Sequence, residues 1–138
     1  MAASLSPYLN FNGNAGEAMR FYQSVLGGDL YIQTFGDAGM AQSDAEKNRT
    51  LHAALTSDAI RLFASDGRPD QPVNFGDSVH LSLQGDDAAT LTRYFEGLSA
   101  GGKVDMPLNK MFWGDTFGML TDRFGQHWMV NIAAGQGR

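Results

Sequence analysis

Histidine and cysteine, two residue types common in acid–base and metal chemistry, are scarce in this chain. It has three histidines, His52, His80 and His127, and no cysteine among its 138 residues. The missing cysteine excludes disulfides, thiolate metal sites and cysteine nucleophiles. Any catalytic or metal-binding role therefore depends on the histidines and on the acidic side chains near them.

The three histidines all fall at or near predicted strands. The strand alternation places His52 on one face with Ala54 and Thr56, from which it could approach His80 and form a two-histidine site. The alternative is that His52 is a hydrogen-bonded structural residue, the more common role of a histidine in a strand. His127 follows a turn, and we expect it to be a partly exposed strand start.

One aromatic connection is a further candidate for binding. The segment from Phe112 to Asp115 places Phe112 and Trp113 beside a glycine. Such a loop on a rigid scaffold can form the wall of a binding cleft, with Asp115 accepting a bond from a ligand. The alternative is an ordinary turn anchored by a core tryptophan.

Charge and motif content exclude several classes of function. The formal net charge is −5, and the ten basic residues form no stripe, which argues against nucleic acid as a partner. The chain lacks a phosphate-binding GxxxxGK[ST] loop, a GxSxG elbow and an HExxH motif. It starts without a signal-peptide pattern and has no apolar run of the length that a membrane helix needs. We therefore expect a cytoplasmic protein with a small-molecule ligand and no membrane partner.

The elements that position these side chains occur twice. Apolar residues at Ala18, Phe21, Tyr22 and Val25 are followed by a glycine pair. The same spacing returns 73 positions later, and the strands before the two helices match best at an offset of 72, so one turn holds an extra residue. Asn14 is predicted to cap the first helix through its side chain, with a capping box from Glu17. Asp86 or Asp87 is predicted to cap the second.

Each repeat predicts a βαβββ order within a single domain spanning residues 1–138, with modules at 6–66 and 77–133. Predicted strands cover residues 6–12, 30–35, 50–56, 59–64, 78–84, 103–108, 117–121 and 127–132, and helices cover 14–28 and 88–100. Residues 66–72 are predicted to link the modules, because glycine and proline interrupt both periodicities. The fold class is α+β: two paired βαβββ modules forming a curved eight-stranded mixed sheet around a cleft, with the helices on one face.

Alternation along the first strand of each module separates a polar row from an apolar one. Leu9 and Phe11 face the helix in the first module, and Leu81 and Leu83 do so in the second. The polar rows on the opposite faces are Tyr8, Asn10 and Asn12, and His80, Ser82 and Gln84. These rows either line a ligand cleft or form a solvated sheet face.

The sequence resembles the vicinal oxygen chelate superfamily, which includes glyoxalase I, bleomycin-resistance proteins and extradiol dioxygenases. Within it, the chain is most similar to the PhnB-like branch. The matching stretches are SPYLNFNGNAGEAMRFYQSVLGG, LHAAL, SVHLSLQGDD and FWGDTFGMLTDRFGQHWMVNI. The resemblance covers nearly the whole chain and implies paired βαβββ modules and a homodimer.

The resemblance also implies a metal site, with His and Glu ligands on the first and last strands of each module. His80 matches the first-strand histidine of the second module. The equivalent place in the first module holds Tyr8 or Pro7, the last strand offers Met129, and the stretch 60–64 has no acid. Three of the four usual ligand positions therefore hold a residue that does not match the superfamily. We expect no cofactor, and a bound divalent metal is the alternative.

Two functions follow from the resemblance. The first is a metal-free protein that binds a small organic ligand, as the bleomycin-resistance members do. The predicted ligand-binding residues are Tyr8, Asn10, His52, His80, Ser82, Trp113 and Asp115. The second is a metal-dependent lyase, isomerase or dioxygenase that uses His80 with atypical partners. PhnB-like chains are sometimes labelled ubiquinone methyltransferases, but no predicted strand leads into the glycine-rich loop of a nucleotide-type site.

Overall fold

The computed structural model describes residues 3–134, which form eight strands and two helices. The strands are β1 (Tyr8–Asn10), β2 (Asp29–Thr34), β3 (Thr50–Thr56), β4 (Arg61–Ser65), β5 (Leu81–Gly85), β6 (Lys103–Lys110), β7 (Thr116–Thr121) and β8 (His127–Ile132). The helices are α1 (Ala15–Leu26) and α2 (Ala88–Ser99). The predicted βαβββ order is confirmed in both halves. The chain divides into two compact units, residues 1–74 and 75–138.

The two units share one strand topology. The sheet order is β1-β4-β3-β2 in the first unit and β5-β8-β7-β6 in the second. The first and last strands of each unit pair in parallel, and the remaining pairs are antiparallel. The mixed character is as predicted, but the strands form two four-stranded sheets where a single eight-stranded sheet was expected.

Each helix packs against the sheet of its own unit and covers one face of it. The residues of α1 that face the sheet are fully or almost fully buried: Ala15, Ala18, Met19, Tyr22 and Leu26. In α2 the buried residues are Leu91, Phe95 and Leu98. Burial of these apolar side chains is the main term that holds each helix in place.

The start of α1 is stabilised by a different residue from the one predicted. Asn14 occupies the N-cap position, but its side chain makes no capping bond. The Asp66 carboxylate takes this role, because Oδ1 accepts hydrogen bonds from the backbone N–H groups of Gly13 and Ala15. Its other oxygen accepts from the N–H of Thr50 at the start of β3. Asp66 was assigned to the linker, yet it joins the helix to the sheet.

The start of α2 follows the prediction. The Asp87 carboxylate accepts hydrogen bonds from the backbone N–H and the hydroxyl of Thr90. These two bonds favour the ionised form and lower the pKa of Asp87, with the backbone bond as the larger cause.

The strand ends differ from the predicted ones by a few residues. β1 is limited to Tyr8–Asn10, because the Asn12 side chain turns away to bond both backbone groups of Val73. β5 begins at Leu81 and not at Ser78, so His80 directly precedes the strand. β3 and β8 have the predicted bounds.

The face of each sheet opposite its helix is the polar one, as the alternation predicts. In β8, Trp128, Val130 and Ile132 are buried on the helix side, while His127 and Met129 are partly exposed on the other. In each unit we call the sheet face opposite the helix the open face. Among residues 3–134, no helix is long and apolar enough to cross a membrane.

Candidate functional site

Two histidines lie next to each other at the edge of the open face of the second unit. Leu81 and Trp128 are partners in the parallel β5–β8 pair. His80 and His127 directly precede these partners, and their ring centroids are 5.3 Å apart. The register of a single strand pair therefore brings together two imidazoles that lie 47 positions apart in the sequence.

The His127 ring is held from both sides. Its Nδ1 lies 3.0 Å from the Thr121 hydroxyl, and its Nε2 lies 3.0 Å from the carbonyl oxygen of Gly76. Thr121 in turn donates to Oδ2 of Asp105 at 2.8 Å. The Lys103 ammonium lies 3.8 Å from the other oxygen of Asp105.

His80 differs from His127 in having unengaged ring nitrogens. Within residues 3–134 its ring contacts His127 but makes no hydrogen bond. His80 is partly exposed and lines a cavity of about 640 Å³. The wall of this cavity combines ionic side chains with the apolar Met119, and its lining residues include Asp77, Lys103, Asp105, Thr121, Arg123 and His127. An imidazole in this position can donate or accept a hydrogen bond, or transfer a proton.

The open face of the first unit carries an aromatic cluster. The Tyr8 hydroxyl lies 3.1 Å from Nδ1 of His52. Both rings contact Phe63, with centroid distances of 6.1 Å from Tyr8 and 5.7 Å from His52. Tyr8 remains 46% exposed, so part of this surface is open for stacking. Within the first unit His52 is hydrogen-bonded to Tyr8, and within the second unit the His80 ring contacts the His127 ring.

The remaining predicted residues lie in different environments. Asn10 is exposed on β1, and Ser82 is exposed on β5, where its hydroxyl donates to Gln84. Trp113 is 46% exposed on the turn between β6 and β7, with its ring edge against Phe117 at 6.1 Å.

Asp115 does not point to solvent. It is 2% exposed, and its two oxygens accept hydrogen bonds from the side chain of Asn131 and the N–H of Ala134. Asp115 therefore has a structural role, because its hydrogen bonds join the turn after β6 to the end of β8. This geometry does not support the predicted ligand-binding role of Asp115.

The residues at the family's metal positions do not form a suitable ligand set. In the first unit, Tyr8 pairs directly with Phe63, which has no donor atom. In the second unit, the last strand offers His127 beside His80 and then Met129, a soft thioether. Divalent ions of this kind need several N and O ligands, and within residues 3–134 no group of three or more His, Asp or Glu side chains could hold one. The donor set does not fit the metal that the superfamily implies.

Sequence reasoning missed the residues that surround His80. His127 was expected to be a strand start with little functional importance, and neither Thr121 nor Asp105 was singled out. A signal was available, because each histidine directly precedes an alternating strand and the βαβββ order pairs the first strand with the last. The partner strand and its register are properties of the folded sheet.

A family model described as 3-demethylubiquinone-9 3-methyltransferase matches residues 3–131. The chain belongs to this family. The protein YjdN of Escherichia coli strain K12 is a relative with 32% identity, covering 96% of this chain and 97% of its own length.

Solved structures of similar proteins share the fold of this chain. Protein PA1353 from Pseudomonas aeruginosa has a TM-score of 0.86 and 41% identity, with 95% of this chain and 98% of that chain covered. A putative 3-demethylubiquinone-9 3-methyltransferase, PhnB protein, from Bacillus cereus has a TM-score of 0.77 and 22% identity, with coverages of 95% and 100%. A glyoxalase/bleomycin resistance protein/dioxygenase family enzyme from Burkholderia phytofirmans has a TM-score of 0.62 and 16% identity, with coverages of 94% and 98%. The last two show the fold alone, and the fold that the resemblance implies is confirmed.

Proposed function

We propose that this PhnB-like protein binds a small organic molecule without a metal ion, in the cavity beside His80. The observation that carries the proposal is an imidazole at the wall of a cavity of about 640 Å³ whose ring nitrogens have no hydrogen-bond partner within the described residues 3–134. A cavity of this size fits a compact organic ligand. His80 supplies a directional hydrogen bond, Met119 supplies apolar contact, and Lys103 and Asp77 supply charge at the wall.

The open face of the first unit offers different chemistry. Tyr8, His52 and Phe63 present aromatic surface, and Asn10 presents an amide on the same strand as Tyr8. We propose these side chains as ligand contacts of the first unit by itself, and Ser82 and Trp113 as contacts of the second unit outside the cavity wall. A ligand with a planar, unsaturated part is favoured by such rings.

The binding proposal is tested with a fragment library screened by ligand-observed NMR. We expect polar aromatic fragments to bind the wild-type protein, and we expect His80→Ala to lose most of those hits, since the cavity then lacks its directional group. Glu96→Ala is a control, because Glu96 is exposed on α2 and lies outside the cavity lining. Hits that His80→Ala and Glu96→Ala bind equally well would contradict the assigned site.

The alternative function is a metal-dependent lyase, isomerase or dioxygenase. The contact between the His80 and His127 rings favours it, because two neighbouring imidazoles can ligate one borderline ion. Binding there would require His127 to give up one of its hydrogen bonds. Titration with Ni²⁺, Zn²⁺, Fe²⁺ and Mn²⁺ would detect such a site as uptake that His80→Ala abolishes.

The methyltransferase activity in the family description is not part of the proposal. The sequence contains no G-x-G-x-x-G segment between a strand and a helix, so it offers no glycine-rich loop for a nucleotide-type cofactor. Homodimerisation remains a proposal from the resemblance, supported by the exposed aromatic pair Phe112 and Trp113. Sedimentation analysis tests it directly. The cytoplasmic location stays a prediction.

A further inference from the structure

The hydrogen bonds around His127 have defined directions. The Thr121 hydroxyl has one proton, and it lies 2.8 Å from Oδ2 of Asp105, a carboxylate oxygen that accepts. Thr121 therefore donates to Asp105 and accepts from Nδ1 of His127. Asp105 thus determines, through one hydroxyl group, which way the nearest ring nitrogen of His127 bonds.

The second nitrogen of His127 connects the ring to a loop. The carbonyl oxygen of Gly76 is an acceptor, so Nε2 donates to it at 3.0 Å. Both ring nitrogens of His127 are therefore engaged in hydrogen bonds. Gly76 begins the segment 76–80, which joins no strand and ends in His80. The hydrogen bond to Gly76 and the ring contact with His80 fix this segment at both ends.

We propose that Asp105 and Thr121 are positioning residues, which hold His127 so that it fixes the segment 76–80 and presents His80 to the cavity. Asp105, Thr121, His127 and His80 form one chain of contacts along the cavity wall, which begins on strand β6. His127 is the support, and His80 is the histidine that remains available to a ligand. The reason for presenting His80 to the cavity rests on the proposed function. The hydrogen bonds and the ring contact themselves can be tested without a ligand.

Diethyl pyrocarbonate distinguishes the two histidines. A free imidazole nitrogen attacks a carbonyl carbon of the reagent, forming an N–C bond, losing its ring proton to water and releasing ethyl carbonate, which decomposes to carbon dioxide and ethanol. Peptide mass spectrometry gives a separate rate for each histidine. We expect His80 of the wild-type protein to react faster than His127, whose nitrogens are both engaged. His52 provides an internal reference.

The positioning role is tested on Thr121. Thr121→Val keeps the shape of the side chain but removes its hydroxyl. We expect His127 to react about fivefold faster with diethyl pyrocarbonate, because the loss of one hydrogen bond corresponds to a factor of about that size. Amide hydrogen exchange of residues 76–80 should accelerate as well. Thr121→Ser restores the hydroxyl and should return both rates to the wild-type values. Thr116→Val is a matched control at the other end of β7, and it should change neither rate.

Two outcomes would overturn the inference. The first is a Thr121→Val protein in which the reactivity of His127 and the exchange of residues 76–80 are both unchanged. The second is a Thr121→Ser protein that behaves like Thr121→Val, because the effect would then come from shape and not from the hydroxyl. Circular dichroism confirms that each variant is folded. A failure to find a ligand would contradict the proposed function but leave these rates unaffected.

Discussion

His127 is the residue whose surroundings the sequence predicts least and the structure shows most clearly. Its spacing from His80 carries no known motif, and only the parallel β5–β8 register brings the two rings to 5.3 Å. The two rings differ in their hydrogen bonds: His127 is bonded through both nitrogens, whereas His80 is bonded through neither within residues 3–134. Both rings line the cavity, and His80 is the one whose nitrogens can bond a ligand there.

Asp66 provides a stability test at the scale of a single residue. The carboxylate is 2% exposed and accepts from three backbone N–H groups. In Asp66→Asn, the amide NH₂ that replaces one oxygen cannot accept, so a buried N–H is left without a partner. We expect the free energy of unfolding to fall by roughly 1–3 kcal/mol. Urea denaturation measures the change.

Asp70→Asn is the control for this substitution, because Asp70 is an exposed acid in the same connection. It should leave the denaturation midpoint almost unchanged. Equal midpoints for Asp66→Asn and Asp70→Asn would show that Asp66 does not join α1 to β3 as described.

Element type was predictable because apolar spacing decides it. The two helices and all eight strands lie where the periodicity places them, since each must bury one apolar face. The caps were predictable only in part. Asp87 caps α2 from within its own turn, whereas α1 is capped by Asp66, which lies 51 positions from Ala15. Local sequence cannot reveal a cap that comes from a distant residue, here the one that follows β4.

The cap of α2 gives a prediction at the scale of an element. Asp87→Ala should lower the melting temperature at pH 7, because the first turn loses the acceptor for the N–H of Thr90. The hydrogen bonds lower the pKa of Asp87 in the folded state, so its contribution is present above the unfolded pKa and is lost as the pH falls through the folded one.

Asp86→Ala is the matched control, since Asp86 is exposed and precedes the cap by one position. The melting temperatures of the two variants should differ at pH 7 and converge as the pH falls below about 4. A difference that persists unchanged in acid would argue against a carboxylate cap.

At the scale of the whole molecule, the internal repeat predicted the fold better than the site. Two βαβββ units were expected from the 73-residue helix repeat, and the element order of the structure confirms them. The division into two four-stranded sheets was not expected, because strand order within a unit does not determine pairing between units. The cavity beside His80 depends on side chains from several strands and from the loop around Gly101 and Gly102. No local sequence pattern predicts that these residues line one cavity.

The central claim is that ligand binding at His80 needs no metal, and elemental analysis of the purified protein tests it most directly. The protein should be prepared without chelators and without nickel affinity resin, since either would change the metal content. We predict less than a stoichiometric amount of Ni, Zn, Fe or Mn, and no uptake when each ion is titrated. One equimolar metal per chain, lost in His80→Ala, would contradict the account and support the metal-dependent alternative.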